Sequence, residues 1–590
     1  MYLSKLIIKN FRKIEYAEFN FVSGLNVILG PNNIGKTAVV DALRSLLAGH
    51  EDPYPRLSID DIHRIDMKPC SDNIEFNFIF SELDEQDEAE FLNALVPIEE
   101  NRFEAHINIR YSLIDETGKM RIKRWSGKLE DTPVTIDMLE SLKGVYLQPL
   151  RDASSGLKPN RNSQLARLMR LYGKQDLKGK ESVETLIKRF ELLLKRRSPV
   201  KNTEQSILER HNLMLGKQLS QALQLDVSGT TYEQLTSRLS MLTNGFDIDY
   251  NGLGYNNLIY MAVVLSEMIN DPNVIYRGLI IEEPEAHLHP QLQVILLEYF
   301  KQIQSNNIQL FITSHSSNFA SLAKLNSLTC MIENNNKVRA FSPRNIKFDT
   351  SKTEHKKKLY KLERYLDITR AELFFSQKII LVEGAAELVL VHSLANFTKN
   401  KFNLKEHAIS LISVDGLNFD CFIPLFCDDG LTIPVSIITD ADPEKIKGLD
   451  GYKYSQYPKL GEIVTVSNNT NSLKALESDL IKVFYGVKTF EYDLALYENN
   501  RTIMLKALSE LHPKIANDLK DKLDPTKSNE ENAKILFCGM FERESGDNVS
   551  KGRFAQSLAY ILADLDDIDS FTVPEYIENA LTHVCLRSKL

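Results

Sequence analysis

Three short apolar runs in the first half of the chain each end in polar residues suited to phosphate. The first, Leu25–Leu29, is followed by "GPNNIGKT" and then by apolar residues at helical spacing. The second, Leu279–Ile281, ends in two glutamates, and the third, in "IQLFITSHSS", is followed by a histidine. Apolar runs of this length bounded by polar turns are typical of buried strands. The pattern therefore predicts an α/β fold whose strands deliver three groups to a bound phosphate compound.

The first of these groups matches the phosphate-binding loop G-x-x-x-x-G-K-T in its expected strand–loop–helix setting. Its glycines allow backbone N–H groups to wrap phosphate oxygens at the start of a helix. Lys36 would neutralise the β- and γ-phosphates, and Thr37 would bind Mg²⁺. We therefore predict that the chain binds ATP with Mg²⁺. The predicted ATP contacts in this loop are Gly30, Asn32, Asn33, Gly35, Lys36 and Thr37.

The two glutamates that end the second run suit the Walker B role. The first carboxylate of such a pair holds the Mg²⁺ shell, and the second polarises the water that attacks the γ-phosphate. Glu282 takes the first position, where aspartate is more usual, and Glu283 takes the second. His315 follows the third run and could contact the γ-phosphate. Alone, His315 could equally be a hydrogen-bonded core histidine, but three such groups after three strands favour a nucleotide site.

A fourth stretch, "NGLGYNNLIY", lies between the loop and the glutamates, and the complete order resembles an ABC-type ATPase head of the SMC/RecF kind. In such heads the signature segment of one protomer closes on the nucleotide that the other protomer holds. The resemblance implies that Asn251, Gly252 and Gly254 take this place, although they depart from the common LSGGQ form. It also implies two heads around two ATP molecules, and hence a homodimer or a higher homo-oligomer. Gln148 is a candidate for the Q-loop glutamine.

A helical insertion is predicted within the ATPase head. Thr37 and Glu282 lie about 245 residues apart, which is more than one compact nucleotide domain needs. The segment 163–242 is rich in Leu, Lys, Glu and Gln and poor in glycine and proline, a composition that predicts helices. It lacks the sustained heptads of a long coiled coil. A short helical arm used for dimerisation is the simplest interpretation.

The second half contains apolar runs that end in carboxylates. Ile379–Val382 is followed by Glu383, and Glu387 lies four residues further on, on the same side of the next helix. A second run, Ile433–Thr439, ends in the sequence Asp-Ala-Asp, and a third acidic place is "ALESDL". One glutamate beyond a strand is usually a solvent-exposed cap. Acidic ends on several strands are different, because the carboxyl ends of parallel strands gather ligands at one edge.

Carboxylates gathered at one edge of a sheet repel one another unless cations lie between them. Oxygen ligands of this kind suit Mg²⁺ or Mn²⁺. Two such ions can activate a water and stabilise the leaving oxygen of a phosphodiester. The second half is therefore predicted to hold a metal site for phosphodiester chemistry.

V-E-G-x-x-E followed by D-x-D resembles a Toprim domain, the metal-binding fold of topoisomerases, primases and some nucleases. An ABC head followed in one chain by Toprim resembles the OLD (overcoming lysogenisation defect) nuclease family, with its Gabija and retron-associated members. Further stretches that carry this resemblance are "YLQPLRDAS", "SVDGLNF" and "VSKGRFAQSLA". The metal ligands that it implies are Glu383, Glu387, Asp440, Asp442 and Glu477, with Asp479 as the alternative to Glu477. It assigns Lys551 to stabilising the charged phosphate, the alternative being an ordinary surface lysine.

Composition limits the class of protein. A chain of 590 residues is too long for one core, and no apolar run approaches the roughly 18 residues of a membrane span. There is no signal-peptide pattern at the start, and six scattered cysteines without a CxxC pair fit a reducing cytoplasm. The net charge of −9 argues against a non-specific nucleic-acid coat protein. Of two local basic stretches, Lys195–Lys201 and His355–Arg364, the second is predicted to contact phosphate.

These patterns divide the chain into six segments. They are an ATPase N-lobe (1–162), a helical dimerisation insertion (163–242), an ATPase C-lobe (243–350), a linker (351–370), a Toprim nuclease core (371–485) and C-terminal helices that complete the nuclease domain (486–590).

The leading hypothesis for function is a metal-dependent DNA endonuclease or nickase gated by ATP in the head dimer. The resemblance implies bacterial anti-phage defence, with a helicase, or a reverse transcriptase and its small nucleic acid, as candidate partners. An SMC/RecF-like, ATP-driven DNA clamp with a structural Toprim edge is the alternative, and the complete acidic set with Lys551 counts against it. A topoisomerase would need a tyrosine on a DNA-gripping domain, and no such domain is recognisable beside the Toprim region.

Overall fold

The computed structural model describes residues 1–47, 54–66, 68–99, 102–114, 118–148, 156–215, 221, 223–225, 231–270, 274–286, 288–303, 308–334, 337–348, 351–447, 453–565, 567 and 570–586. Residues 149–155 and 287, parts of two quoted motifs, lie outside the described residues, as do positions 216–220, 222 and 226–230 of the predicted insertion. Within the described ranges, no helix is long and apolar enough to cross a membrane. The fold is mixed α/β, as the sequence predicts.

The strands are numbered β1 to β22 along the chain. They are Tyr2–Phe11 (β1), Ile14–Asn20 (β2), Leu25–Leu29 (β3), Arg64–Ile65 (β4), Lys68–Pro69 (β5), Asn73–Ser81 (β6), Leu95–Glu99 (β7), Arg102–Leu113 (β8), Met120–Ser126 (β9), Leu142–Leu147 (β10), Leu242–Thr243 (β11), Phe246–Asp247 (β12), Tyr276–Glu282 (β13), Ile308–Ser314 (β14), Leu328–Asn334 (β15), Lys337–Phe341 (β16), Lys378–Val382 (β17), Ile409–Ser413 (β18), Val435–Ile438 (β19), Ile446–Lys447 (β20), Lys453–Tyr454 (β21) and Ile481–Phe484 (β22).

The α-helices are numbered in the same way. They are Lys36–Leu47 (α1), Glu85–Glu90 (α2), Ile136–Ser141 (α3), Gln164–Gln175 (α4), Leu177–Lys195 (α5), Ser198–Leu215 (α6), Tyr232–Thr236 (α7), Leu253–Asn270 (α8), Pro290–Ile303 (α9), Ser317–Leu322 (α10), Lys352–Tyr365 (α11), Ala385–Leu394 (α12), Phe419–Phe422 (α13), Asn468–Lys474 (α14), Phe490–Ala495 (α15), Glu498–Leu511 (α16), Pro513–Lys522 (α17), Asn529–Phe541 (α18), Lys551–Ala563 (α19) and Glu575–Leu586 (α20).

The N-terminal sheet is antiparallel and buries one face. Its order is β2-β1-β6-β8-β7, with β9 on the other part of β8. Along β6, Ile74, Phe76, Phe78 and Phe80 are buried and alternate with partly exposed residues. This is the period-two pattern of a sheet with one face against a core. The buried face shares a hydrophobic cluster with α1, and so supports the helix that begins at the phosphate-binding loop.

The second sheet holds the nucleotide-binding strands side by side. Its order is β10-β13-β14-β3-β15-β16, and every neighbouring pair is parallel except β15 with β16. The three runs singled out in the sequence form β3, β13 and β14, which are adjacent. Every residue of β3 and β14 is buried, as expected for parallel strands covered on both faces. The groups that follow these strands therefore meet at one edge.

Helices lie between β10 and β13, where the sequence predicts a helical insertion. α4 packs against α7 and α8, whereas α5 and α6 bury none of their side chains. Three apolar side chains of α5, Leu186, Phe190 and Leu193, are more than half exposed. The described part of the insertion is thus an arm with an uncovered apolar surface.

The second half is built on a four-stranded parallel sheet of order β18-β17-β19-β22. This order places β17 beside β19, so the carboxyl ends that carry the two acidic motifs are neighbours. α12 follows β17 and packs on α19, while α20 covers β19 and β22. One hydrophobic cluster joins these helices to the C-terminal ones. The C-terminal helices therefore pack against the sheet that carries the acidic residues.

The two halves share a hydrophobic core. One cluster of buried residues runs from Val27 and Ile312 in the ATPase sheet to Leu381 and Ile437 in the second-half sheet. The short 3₁₀ helix Arg370–Phe374 lies between α10 and β18 and contacts both. The connection between the halves is therefore a packed joint.

Replacing Gly144 by alanine is expected to destabilise the ATPase sheet. A Cβ at this position in β10 would lie 1.3 Å from the backbone oxygen of Leu47 at the end of α1, so helix and strand would have to separate. We expect a loss of about 2–3 kcal/mol in the free energy of unfolding, measured by urea titration. Gly552→Ala is the control, because no heavy atom lies within 4 Å of its Cβ position. Equal effects of the two substitutions would contradict this packing argument.

Candidate active site

The backbone of the phosphate-binding loop has left-handed conformations at two positions. Gly35 has a φ of +108° and Asn33 a φ of 65°, conformations that direct successive N–H groups inward. The buried Lys36 donates from Nζ to the backbone oxygens of Gly30 (2.7 Å) and Pro31 (3.0 Å). Burial lowers the pKa of Lys36, while nearby glutamates oppose this shift. The ammonium group is thus anchored inside the loop, next to the predicted phosphate position.

The structure brings Thr37 and Glu282 together across the sheet. Thr37 donates from Oγ1 to Oε1 of Glu282 at 2.6 Å, and the Tyr146 hydroxyl donates to Oε2 at 2.7 Å. Burial and this contact with Glu282 raise the pKa of Tyr146. The tyrosine is absent from the sequence-based site, because its role depends on the pairing of β10 with β13. Thr37 and Glu282 form a pair of oxygens suited to the Mg²⁺ that accompanies ATP.

Glu283 and His315 also lie next to each other at this edge. Nε2 of His315 is 3.4 Å from Oε2 of Glu283, whose own backbone is left-handed with a φ of 49°. Glu285, which the sequence analysis did not select, accepts hydrogen bonds from Ser314 Oγ (2.7 Å) and His315 N (3.1 Å). Burial raises the pKa of Glu285. Its carboxylate ties the end of β14 to the loop after β13, so the two strand ends are fixed as one unit.

The predicted signature segment lies at the start of α8. Asn251 donates from Nδ2 to Oδ1 of the buried Asn256 at 2.9 Å, which fixes the turn before the helix. Gly252 is exposed and Gly254 partly exposed, and Tyr255 beside them is 57% exposed. Gln148 directly follows β10 and is exposed.

In the second half, Glu383 is fixed at the point where β17 and β19 end. Its Oε1 accepts hydrogen bonds from the Thr439 hydroxyl and from the backbone N–H of Asp440, the latter at 2.9 Å. Its backbone oxygen accepts from Gly416 N at 2.7 Å, after β18. Three neighbouring strand ends are thus tied together by one glutamate.

Two further carboxylates, those of Glu387 and Asp440, lie near Glu383. Glu387, in the first turn of α12, is buried and accepts from Gly384 N at 3.0 Å. Asp440 accepts from Phe490 N at 2.9 Å, at the start of α15. Burial raises the pKa of both carboxyls, well above the usual value for Asp440, and the charge of Glu383 adds to each shift. The structure therefore brings these residues into one group whose negative charges repel.

Glu491 completes this group, and sequence reasoning missed it. It lies on α15, is only 1% exposed, and accepts from Lys551 Nζ at 2.7 Å, while its Oε1 has no hydrogen-bond partner. Burial disfavours the charged form of Lys551, but the charges of Glu491, Asp440 and Glu387 outweigh it and raise the lysine pKa. No local sequence signal pointed to Glu491, because its burial results from the packing of α15 beside Asp440. Lys551 is held as a cation against the acidic group.

The other two predicted metal ligands, Asp442 and Glu477, have surroundings different from those of the buried carboxylates. Asp442 is exposed, has a left-handed φ of 39°, and donates from its backbone to Lys488 O at 3.1 Å. It follows Asp440 closely, so its carboxylate can approach the edge. Glu477 instead accepts from Val483 N at 2.9 Å on the outer strand β22. Among the described residues Glu477 forms no hydrogen bond to Glu383 or Asp440, and its role as a ligand stays a prediction.

The donor set of this group fits a hard divalent cation. Glu383, Glu387, Asp440 and Glu491 each accept from a protein donor at one carboxylate oxygen, and within the described part of the chain the second oxygen forms no hydrogen bond. The orphaned Oε1 of Glu491 is buried, where an unpaired oxygen is costly. No group of three or more acidic, histidine or cysteine side chains in the described residues is already spaced around an ion position. The chemistry of these oxygens therefore suits a divalent cation, although in the described residues they are not arranged around one ion position.

Asp493, two residues after Glu491 in α15, gives a test of pH dependence. Its Oδ1 accepts from Val487 N and Lys488 N, and burial raises its pKa from 3.8 to about 8. Because the folded pKa exceeds the unfolded one, the stability from this group is full below pH 3.8 and is lost as pH rises towards about 8.

Asp493→Asn keeps the accepting oxygen but cannot ionise. In the wild type, ionisation of Asp493 should lower the free energy of unfolding by up to about 1.4 kcal/mol per pH unit between pH 3.8 and about 8. Asp493→Asn should abolish this part of the decline, which urea titrations at two pH values measure. The exposed Asp521→Asn is the control and should leave the decline unchanged. An unchanged decline in Asp493→Asn would refute a raised pKa for this carboxyl.

Arg370 links the joint between the halves to the acidic edge. Its nearly buried guanidinium donates from Nε to Ser413 O at 2.7 Å and forms an ion pair with Asp415. The next residue, Gly416, donates to Glu383 O at 2.7 Å. The guanidinium of Arg370 is therefore connected through Asp415 and Gly416 to the main chain of Glu383.

Similarity to characterised proteins extends over most of the chain. "Endonuclease GajA" of Bacillus cereus (strain HuB5-5) is 24% identical, over 99% of this chain and 98% of that protein. "OLD nuclease" of Thermus scotoductus (strain ATCC 700910 / SA-01) is 23% identical, over 75% of this chain and 82% of that protein. Among solved structures, the C-terminal region of the Burkholderia pseudomallei OLD protein is 26% identical with a TM-score of 0.25, over 36% of this chain and 97% of that one.

Two family descriptions match separate parts of the chain. Residues 374–442 match "Overcoming lysogenization defect protein-like, TOPRIM domain", which contains β17, β18 and β19. Residues 1–101 and 90–320, together more than half of the chain, match "AAA ATPase domain". The predictions of an ATPase head and of a Toprim domain are thereby confirmed. The chain belongs to the AAA ATPase domain family and carries an OLD-like TOPRIM domain behind its ATPase head.

Proposed function

We propose that the chain is an ATP-regulated, divalent-metal-dependent DNA endonuclease or nickase. One observation carries the proposal: four carboxylates, of Glu383, Glu387, Asp440 and Glu491, converge at neighbouring strand ends with the ammonium of Lys551 against them. A purely structural edge would gain nothing from this arrangement, since burying like charges together is costly. The names of its relatives, an endonuclease and an OLD nuclease, support the same activity.

In phosphodiester hydrolysis the carboxylates would bind metal ions and Lys551 would bind the phosphate. Glu383, Asp440 and Glu491 would hold divalent cations, with Glu387 and Asp442 as further ligands. Two bound Mg²⁺ or Mn²⁺ ions supply activation of a water and stabilisation of the leaving oxygen. Lys551, kept charged by its acidic neighbours, would bind a non-bridging oxygen of the scissile phosphate as negative charge develops there. Glu491 would act on the phosphate indirectly by fixing Lys551.

The ATPase half would bind ATP and regulate cleavage. Lys36 and the loop N–H groups would bind phosphate oxygens, and Thr37 with Glu282 would hold Mg²⁺. Glu283 would orient the attacking water, and His315 would contact the γ-phosphate. Regulation is supported by the packed joint, since the ATP site and the acidic edge belong to one connected core.

The proposed assembly is a homodimer or a higher homo-oligomer. The segments would be an ATPase N-lobe (1–162), a helical dimerisation insertion (163–242), an ATPase C-lobe (243–350), a linker (351–370), a Toprim nuclease core (371–485) and a helical C-terminal part that completes the nuclease domain (486–590). The bare apolar surface of α5 supports dimerisation through the insertion. In a dimer, Asn251, Gly252 and Gly254 of one head would face the ATP of the other.

The proposed setting is anti-phage defence in the bacterial cytoplasm. The six cysteines are all free thiols, which agrees with a reducing compartment. A helicase, or a reverse transcriptase with its small nucleic acid, is the partner class proposed from the family resemblance.

The test is cleavage of supercoiled and linear DNA with Mg²⁺ or Mn²⁺, with and without ATP, by the wild type and by Glu383→Ala. The proposal expects nicked or linear product from the wild type, none after chelation of the metal and none from Glu383→Ala. If no DNA is cut under any nucleotide condition, and ATP-dependent retention of DNA is unaffected by Glu383→Ala, the endonuclease proposal is wrong and a DNA clamp is the better description.

A further inference from the structure

One face of α11 carries basic side chains in two parallel columns. Residues four apart lie above one another on a helix. Lys356, Tyr360 and Arg364 form one column, and Lys357 with Lys361 forms the next. The five residues line a shallow surface groove of about 490 Å³. We call them the basic stripe.

The stripe is directed outward because the opposite face of α11 is buried. Leu362 is fully buried in the shared core, and Leu359 packs against the same cluster. Lys356, Lys357 and Arg364 are exposed and form no ion pair with any described residue. Such uncompensated cations are available for an anionic partner.

The stripe leads towards the acidic edge of the Toprim sheet. Lys361 pairs at 2.7 Å with Asp420 on α13, the helix that follows β18. At the end of α11, Tyr365 O accepts from Arg370, which also donates to Ser413 O at the carboxyl end of β18. Because β18 lies beside β17, this is the edge that carries the carboxylates. The last turn of α11 is therefore the part of the stripe nearest to that edge.

A DNA substrate would need such a surface. The chain carries a net charge of −9, and four carboxylates converge at the proposed site of cleavage, so long-range attraction of phosphates must come from elsewhere. From Lys356 to Arg364 the helix rises about 12 Å. At about 3.4 Å per phosphate along one strand, this length matches three to four phosphates.

We propose that the basic stripe of α11 binds the phosphate backbone of DNA and guides one strand to the acidic edge. This inference rests on the proposed function for its substrate, but concerns a binding surface that none of the matched motifs contains. The contacts are to phosphates, so binding is independent of base sequence and falls steeply with salt.

The experiment compares two triple variants with the same change of charge. Lys356→Gln, Lys357→Gln and Arg364→Gln together remove the free cations of the stripe. Arg196→Gln, Arg197→Gln and Lys201→Gln remove three exposed cations from the other basic stretch of the chain. Binding of a short fluorescein-labelled duplex to the full chain is followed by anisotropy over a series of salt concentrations, without divalent metal.

The stripe variant is expected to bind at least about tenfold more weakly, and the slope of log affinity against log salt should shrink by about 2–3, since each phosphate contact contributes about 0.9. The control variant should keep the wild-type slope. An unchanged slope in the stripe variant, or an equal loss in both variants, would overturn the inference.

Failure of the proposed function gives a different result. If the wild type binds duplex with a stripe-dependent salt slope but cuts no DNA, the stripe stands and the endonuclease proposal fails. If the wild type cuts DNA and the stripe variant binds and cuts equally well, the function stands and the stripe is refuted.

Discussion

Replacing Glu491 by glutamine is expected to lower DNA cleavage by at least about 100-fold. The carboxylate performs two tasks: it holds Lys551 Nζ at 2.7 Å, and it presents a buried, unpartnered Oε1 to the acidic group. Glutamine keeps the size of the side chain but provides no charge for Lys551 and only one accepting oxygen. Cleavage of supercoiled DNA measures the loss of activity, and urea titration of the same variant measures the loss of stability that follows from removing one partner of a buried ion pair.

Glu477→Gln is the matched control, because it makes the same chemical change at the position that the sequence favoured. Its carboxylate binds Val483 N on the outer strand, away from the acidic group. We expect cleavage within about twofold of the wild type, because the amide oxygen can still accept that hydrogen bond. If Glu477→Gln were inactive and Glu491→Gln active, the ligand set would follow the sequence motif and not this geometry.

The second large effect is expected from Lys36→Ala in the phosphate-binding loop. A charged hydrogen bond contributes about 1.5–3 kcal/mol, so loss of the ammonium should weaken ATP binding by about 10- to 100-fold or more. The substitution leaves the second-half sheet untouched, so metal-dependent cleavage without ATP should remain and only its response to ATP should disappear. Calorimetric titration of ATP with Mg²⁺, alongside cleavage assays, measures both.

Lys13→Ala serves as the control, since Lys13 is exposed in the turn between β1 and β2, outside the loop. It should bind ATP like the wild type. Normal ATP binding by Lys36→Ala would show that this lysine is only a structural anchor for the carbonyls of Gly30 and Pro31. Loss of cleavage without ATP would instead show that the two sites cannot be separated.

Those parts of the architecture that depend on local pattern could be predicted from the sequence. Buried strands such as β3 and β14 are mainly apolar runs, and each is followed by residues with a recognisable chemistry. The ATPase head and the Toprim domain follow from the order of these motifs, and both are confirmed. The antiparallel N-terminal sheet, which ends with β9 at Ser126, was not predicted, although the alternation along β6 would have indicated it.

The composition of the site depends on contacts that no local pattern encodes. Tyr146 meets Glu282 only because β10 pairs with β13. Glu491 joins the acidic group because α15 begins beside Asp440 after the chain has passed through β22. Glu477 was predicted from the family resemblance, with Asp479 as the alternative, whereas in the fold its carboxylate accepts from Val483 N on β22.

The packed joint between the two halves, the 3₁₀ helix Arg370–Phe374, limits where residues can be inserted into the chain. A surface loop tolerates insertions because its ends can move. One residue added within Arg370–Phe374 would instead rotate its side chains by about 120° around a 3₁₀ helix, and would carry Arg370 away from Ser413 O. Exchanging whole halves between relatives should therefore yield folded hybrids only when this joint, α10 and β18 are exchanged as one block.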